Sequence, residues 1–190
     1  MTQSLGIERG NTMTIRNTPT RWGGAARFFH WVGALAIFFL LFHGLWMTHF
    51  APRPERLPNY ALHASIGYVL IAFTLARLLW RGTQVVPELA TGTPRWERLA
   101  AQAGHWGLYL FTFATAFTGW ALAGTMRTPL HSVFGLFNMP GLMNGRAWHD
   151  ALEDIHQVLA WSMGALVLVH IASAVWHWLW RKDDIMRRMI

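Results

Sequence analysis

The chain has 190 residues, enough for one domain; 53% are hydrophobic, only 13% are charged, and 12 are Trp. That balance suits a lipid-embedded protein rather than a soluble one. The cations behind the formal net charge of +7 lie outside the apolar runs, so they read as a membrane-topology signal and not as a nucleic-acid surface, while the absence of Cys excludes disulfides, thiolate ligands, Cys-ligated iron–sulfur clusters and covalent CxxCH haem attachment.

Residues 1–21 read as a polar N-terminal arm. Through Arg9, Arg16, Arg21 and Arg27 the chain shows no short apolar core followed by a small-residue cleavage site, so no cleavable signal peptide is expected. Four runs then lack Asp, Glu, Lys and Arg altogether: 28–52, 57–76, 99–126 and 155–180. A helix needs about 20 such residues to cross about 30 Å of hydrocarbon, and lipid leaves the backbone no partner but itself, which makes each run helical. Helices are expected near 28–50, 60–80, 103–125 and 153–180, the second extending past Arg77 because that side chain can snorkel. The expected fold is all-α, an integral membrane four-helix bundle over residues 22–190.

The connections differ in charge. The arm, the 77–98 connection and the tail after Trp180 are rich in Arg and Lys, whereas 51–59 and 126–154 are less so, and the latter carries Asp150, Glu153 and Asp154. By the positive-inside rule both termini are expected to be cytoplasmic. The 126–154 connection is long enough for a small surface helix. Trp22, Trp31, Trp46, Trp80, Trp148 and Trp180 fall near the span ends, as an aromatic belt does.

This topology assigns each histidine a depth. His30 opens the first helix and His105 the third, both on the inner side; His63 opens the second and His156 the fourth, both on the outer side; His170 lies deeper in the fourth. Fourteen residues of helix span ~21 Å and return His170 to within ~40° of the face of His156, and His177 follows seven residues later within ~20° of His170. One stripe on one helix thus carries imidazoles at different depths. Matching depths pairs His63 with His156 and His30 with His170, the arrangement of two stacked bis-histidine haems. The alternative is that intramembrane histidines are only packed or hydrogen-bonded. A porphyrin-free metal site is a further alternative, although zinc usually recruits a third ligand or a carboxylate and the four runs contain no acid. Small residues such as Gly33, Gly67, Gly107, Gly119 and Gly164 leave room for a porphyrin or for close helix packing. Arg77 and Arg81 are candidates for haem propionates, or plain snorkelling cations. His177, left without a depth partner and flanked by Trp176 and Trp178, is a candidate for quinone chemistry or an interfacial residue of the aromatic belt.

The segments "RFFHW", "LHASIGY", "GHWGLYL", "FGLFNMP" and "IHQVLAW…LVHIASAVWHWLWRKDD", in this order and spacing over roughly residues 22–190, resemble the bacterial cytochrome b561 family. The resemblance implies a multi-pass inner-membrane bundle with two b-type haems, whose iron ligands would be His30 with His170 and His63 with His156. It also implies a superoxide oxidase activity, in which superoxide is oxidised to O2 on the periplasmic side and its electrons pass to ubiquinone, with His177 near the quinone. Related b-type subunits relay electrons from a soluble redox partner, hydrogenase or formate dehydrogenase, to quinone. The short chain without large soluble additions favours the stand-alone type. Arg53, Arg56, Arg127 and Arg146 are the candidates for steering the superoxide anion.

Overall fold

The computed structural model describes residues 14–88 and 92–190. Residues 1–13 of the polar arm, with Arg9, lie outside the described residues. The four expected helices are present as α1 (Gly24–His49), α2 (Arg56–Gly82), α3 (Arg95–Thr125) and α4 (His149–Trp176). Each starts before the apolar run that announced it. Charge keeps a residue out of hydrocarbon but does not stop it being helical, so Gly24–Arg27, Arg56 and Arg95–Arg98 extend the helices beyond the apolar stretches. Pro58 is tolerated because it falls in the first turn of α2, where its missing N–H has no intrahelical partner to lose. Pro94 stands immediately before α3, and Glu97 places an acid in that helix's first turn, where the dipole favours it.

Three helical stretches are long and apolar enough to cross a membrane: Gly24–His49, Arg53–Gly82 and Arg146–Arg181. Helix α3, with 31 residues, is long enough, but its charged first turns and its Thr and Gly content lower its hydropathy. Two of its hydroxyls are satisfied within the helix: Thr112 donates to Leu108 O at 2.7 Å and Thr118 to Ala114 O at 2.8 Å. The apolar side chains Leu35, Phe42, Leu110 and Leu168 are each more than 60% exposed. A water-soluble bundle would bury such residues; a hydrocarbon surrounding accounts for them.

In the bundle α1 packs on α2, α2 on α3 and α3 on α4, whereas among the described residues α4 forms no comparable backbone interface with α1 or α2. One end of the bundle, here the arm end, gathers the described part of the arm, the α2–α3 connection and the tail. Asn17 Nδ2 donates to Val85 O at 2.9 Å, Glu88 N to Pro19 O at 2.9 Å, and Trp31 Nε1 to Met189 O at 2.9 Å. Arg188 also donates to the Glu88 carbonyl and Arg27 to that of Ile190.

At the other end, the 126–154 connection has a short 3₁₀ helix, Arg146–Trp148, just before α4, but most of it is not helical. It forms a hairpin, β1 (Ser132–Val133) with β2 (Phe137–Asn138), antiparallel with Val133 opposite Phe137. Leu136 N donates to Val133 O at 2.9 Å across a turn whose central residues Phe134 (φ 52°) and Gly135 (φ 75°) are both left-handed. Such turns usually carry Asn or Asp before Gly; Phe in that position hides the hairpin from a sequence reading. The hairpin is pinned to α2: Tyr68 Oη donates to Leu130 O at 2.8 Å, and Ser65 Oγ accepts the Phe134 N–H at 3.1 Å. Val133 and Leu130 bury against Tyr68 and Ala123. Tyr68→Phe leaves the buried Leu130 carbonyl without this donor, so we expect a loss of about 1–2 kcal/mol, read as a lower thermal midpoint in detergent and faster amide exchange confined to residues 130–139.

Candidate functional site

Helix α4 carries the centre of the site because His156, His170 and His177 recur on one stripe of it. At the hairpin end His156 meets His63 of α2, with ring centres 6.2 Å apart and planes at 82°. Towards the arm end His170 meets His30 of α1, with ring centres 6.2 Å apart and planes at 56°. Metal–imidazole bonds run about 2.0–2.1 Å and a ring centre lies about 1.1 Å behind its nitrogen, so two imidazoles on opposite sides of one metal have centres about 6.2 Å apart. Both pairs have this separation.

Each end of the bundle holds a third imidazole. His43 of α1 stacks on His63 at 5.9 Å and 16°, and His105 of α3 meets His170 at 5.8 Å and 64°. Helix packing separates the two kinds of pair. His43 and His63 stand on α1 and α2, and His105 and His170 on α3 and α4, which pack directly on each other. Directly packed helices have axes about 8–10 Å apart, too close for a macrocycle to stand between them. His30–His170 and His63–His156 join helices that are not directly packed on each other, so that constraint does not apply to these two pairs.

The surroundings of His156 fix how it presents itself. Its Nδ1 donates to Thr115 O at 2.9 Å, which places the proton on Nδ1 and leaves Nε2 with a lone pair for a metal. Gly119, one turn along α3, makes this seat: a Cβ there would stand 2.9 Å from His156 Cε1 and 3.2 Å from Nδ1. Gly44 plays a milder version of the same part, since its Cβ would stand 3.4 Å from His63 Cε1. Around Gly67, one turn from His63, and Gly164, between His156 and His170, an added Cβ meets nothing within 4 Å. His63 Nδ1 is buried without a hydrogen-bond partner, a condition that costs about 1–3 kcal/mol when nothing meets the group. Imidazole pairs at metal spacing, a gap between unpacked helices, small residues beside it and no acid in contact together fit a haem better than a bare zinc ion.

Arg77 turns into the bundle. Its Nη2 lies 3.4 Å from His30 Nδ1, a long contact, and its guanidinium carbon lies 5.2 Å from the Tyr109 ring centre. His177 lies on the stripe where α4 gives way to a π-helical turn, His177–Arg181. Its Nδ1 is 2.6 Å from Asp183 Oδ2. The sequence marked the tail after Trp180 only as rich in Arg and Lys and gave no sign of this contact. His43, which the sequence did not single out, lies late in α1, where Asn59 holds its Nε2 at 3.0 Å. A separate cluster, His149, Asp150 and Glu153, lies at the start of α4 with ligand atoms within 4.8 Å of one another. There Thr125 Oγ1 already occupies His149 Nδ1 at 2.9 Å.

Residues 21–190 match the family described as prokaryotic cytochrome b561. The chain belongs to this family. It is 35% identical over 182 residues to cytochrome b561 homolog 2 of Escherichia coli (strain K12), covering 94% of this chain and 95% of that protein. It is 24% identical over 161 residues to a probable superoxide oxidase of Yersinia pestis, covering 85% of this chain and 90% of that protein. As a cytochrome b561 it is a bacterial membrane protein that binds haem b and transfers electrons.

Proposed function

We propose that the protein is a di-haem b oxidoreductase of the bacterial inner membrane that oxidises superoxide on the periplasmic side and reduces ubiquinone. The observation that carries the reading is the pair of 6.2 Å imidazole contacts, His63–His156 and His30–His170, stacked along α4. In this reading His63 and His156 would hold one haem, His30 and His170 the other, and Arg77 would meet a propionate beside His30. When bound, the haems supply one-electron relays, their potentials set by axial ligand, burial and hydrogen bonding. With two histidines to hold each haem, the site would be suited to electron transfer rather than to binding O2.

The protein's own residues do the rest. Arg16, Arg21, Arg27, Arg81, Arg181, Lys182, Arg187 and Arg188 gather at the arm end, which by the positive-inside rule makes that end cytoplasmic and the hairpin end periplasmic. Arg53, Arg127 and Arg146 are exposed on the hairpin-end connections, where they favour approach of an anion. At the arm end an open surface groove of about 450 Å³ lined by Phe28, Trp31, Val32, Met189 and Arg27 runs along the first turns of α1. Its size and apolar lining suit a quinone ring. His177 donates a proton to a quinone oxygen. The net reaction is two superoxide, one quinone and two protons giving two O2 and one quinol. The name of the Yersinia pestis relative agrees with this substrate.

A second reading is a haem b subunit that takes electrons from a soluble partner. It is favoured by the exposed hairpin side chains Phe134, Leu136 and Phe137, an apolar tip that another protein could cover. Stopped-flow mixing of the oxidised protein with superoxide separates the two. Haem reduction faster than spontaneous dismutation, with no partner added and quinol formed in turn, is the expected result. No haem reduction within the lifetime of superoxide would leave the partner-fed reading.

A further inference from the structure

The tail is folded back on the bundle with a consequence for His177. After the π-helical turn, Lys182 adopts a left-handed conformation (φ 53°) and reverses the chain. The reversal brings Asp183 Oδ2 to 2.6 Å from His177 Nδ1, with both side chains mostly buried, 14% and 17% exposed. The tail is held there from several sides. Asp183 Oδ1 accepts the Ile185 N–H at 3.3 Å, Arg188 bridges to Asp184 at 2.9 Å and to the Glu88 carbonyl, and Trp31 holds Met189. The charged groups around His177 are few. Arg181, next on its own helix, is bound to Glu97 of α3 at 2.8 Å and lies over the Trp176 ring, which itself meets the His177 ring edge-on at 5.2 Å. Asp183 is therefore the only charged group in contact with the imidazole among the described residues, and Nε2 has no protein partner there.

We propose that Asp183 is a positioning residue for proton delivery: it holds the proton on Nδ1 of His177 so that Nε2 is the nitrogen that gives protons to the quinone and takes them back from water. This rests on the reading of His177 as the quinone's proton donor. In each delivery the Nε2–H bond breaks and an O–H bond forms on a quinone oxygen that has received an electron. The imidazole that remains is neutral, with its Nδ1–H still donating to the carboxylate and its Nε2 lone pair turned to the site. Nε2 then binds a proton from water for the second delivery, so one quinone, two electrons and two protons give one quinol. The carboxylate stabilises the imidazolium between deliveries and prevents the ring from adopting the opposite tautomer.

The test uses the full-length, haem-loaded protein and the variants Asp183→Asn, Asp183→Glu and His177→Ala, with a soluble ubiquinone as acceptor. Asp183→Asn should keep the wild-type haem spectrum and a KM for quinone within about twofold, while kcat falls about 10- to 100-fold, the lower part of the range for general acid catalysis. Asp183→Glu should recover part of the rate. A second readout does not depend on turnover: ¹⁵N-histidine NMR of the reduced, diamagnetic protein should show His177 as a single Nδ1–H form in the wild type and as mixed tautomers in Asp183→Asn. If Asp183→Asn matches the wild type in rate and tautomer while His177→Ala is slow, the proposal falls and the role of His177 stands. If His177→Ala itself turns over normally, the reading beneath it falls. Should Asp183→Asn lose haem, the Asp183→Glu rate and tautomer decide: a mixed tautomer with wild-type rate overturns the proposal.

Discussion

Replacing His63 or His156 with Ala is expected to take the purified protein from two haems per chain to one, with the remaining haem unchanged in its spectrum. The expectation follows from which helices the rings bridge. His63 and His156 meet at 6.2 Å across helices that do not pack on each other, so under the proposed pairing each would be the other's counterpart. His43, the third imidazole at that end, stands on α1, packed directly against α2, with its Nε2 engaged by Asn59; it cannot replace His156 from the opposite side of a macrocycle. The other pair, His30 and His170, lies farther along α4 by about 21 Å of helix rise, too far to share the loss. Haem content by pyridine haemochrome and low-spin signals by electron paramagnetic resonance would measure both halves of the prediction. Retention of both haems in either variant would refute the pairing, and loss of both would show that the two centres are not independent. His43→Ala, in contrast, is expected to keep two haems.

Gly119→Ala should weaken the same haem without touching a ligand. An added Cβ would stand 2.9 Å from His156 Cε1, closer than carbon atoms approach, and α3 cannot retreat because it packs on both α2 and α4. The imidazole must move instead, and in moving it lengthens its 2.9 Å Nδ1–H bond to Thr115 O. Loss of such an orienting hydrogen bond typically costs 10- to 100-fold in metal affinity, so we expect partial occupancy of the hairpin-end haem, with the arm-end haem full. Gly119→Val should empty the hairpin-end centre. Gly164→Ala provides the control, because a Cβ there meets no protein atom within 4 Å and leaves His156 seated. Haem titration of the apoprotein, following the two centres by their separate spectra, would distinguish the outcomes; equal affinity in Gly119→Ala and wild type would remove Gly119 from the site.

The helices were legible because hydrocarbon tolerates neither charge nor unpaired backbone, so charge-free runs mark them directly. Their starts were less legible, since Arg95, Glu97 and Arg98 are charged yet helical, outside the stretch that the apolar count can see. The hairpin was hidden for a different reason: its turn has Phe134 at a left-handed position where Asn or Asp would have announced it. Gly119 was read as space for a cofactor, and its tighter role as the seat of one imidazole depends on an interhelical distance that no spacing along α3 contains. Thr115 was missed altogether because it acts through its carbonyl, which every residue has.

The sequence by itself determined that the chain is a membrane helix bundle with histidines at two depths, because a helix converts residue number into height and angle in a fixed way. It could not determine which imidazoles face each other, since His43 and His105 share those depths with the other four; only the packing of α1 on α2 and of α3 on α4, with α4 apart from α1 and α2, decides that. Nor could it join His177 to Asp183. Six residues along a helix place two side chains about 240° apart, on different faces, and the pair exists only because the π-helical turn and the left-handed Lys182 reverse the chain. Local periodicity governs what one helix presents, and the contacts between elements decide what it is presented to.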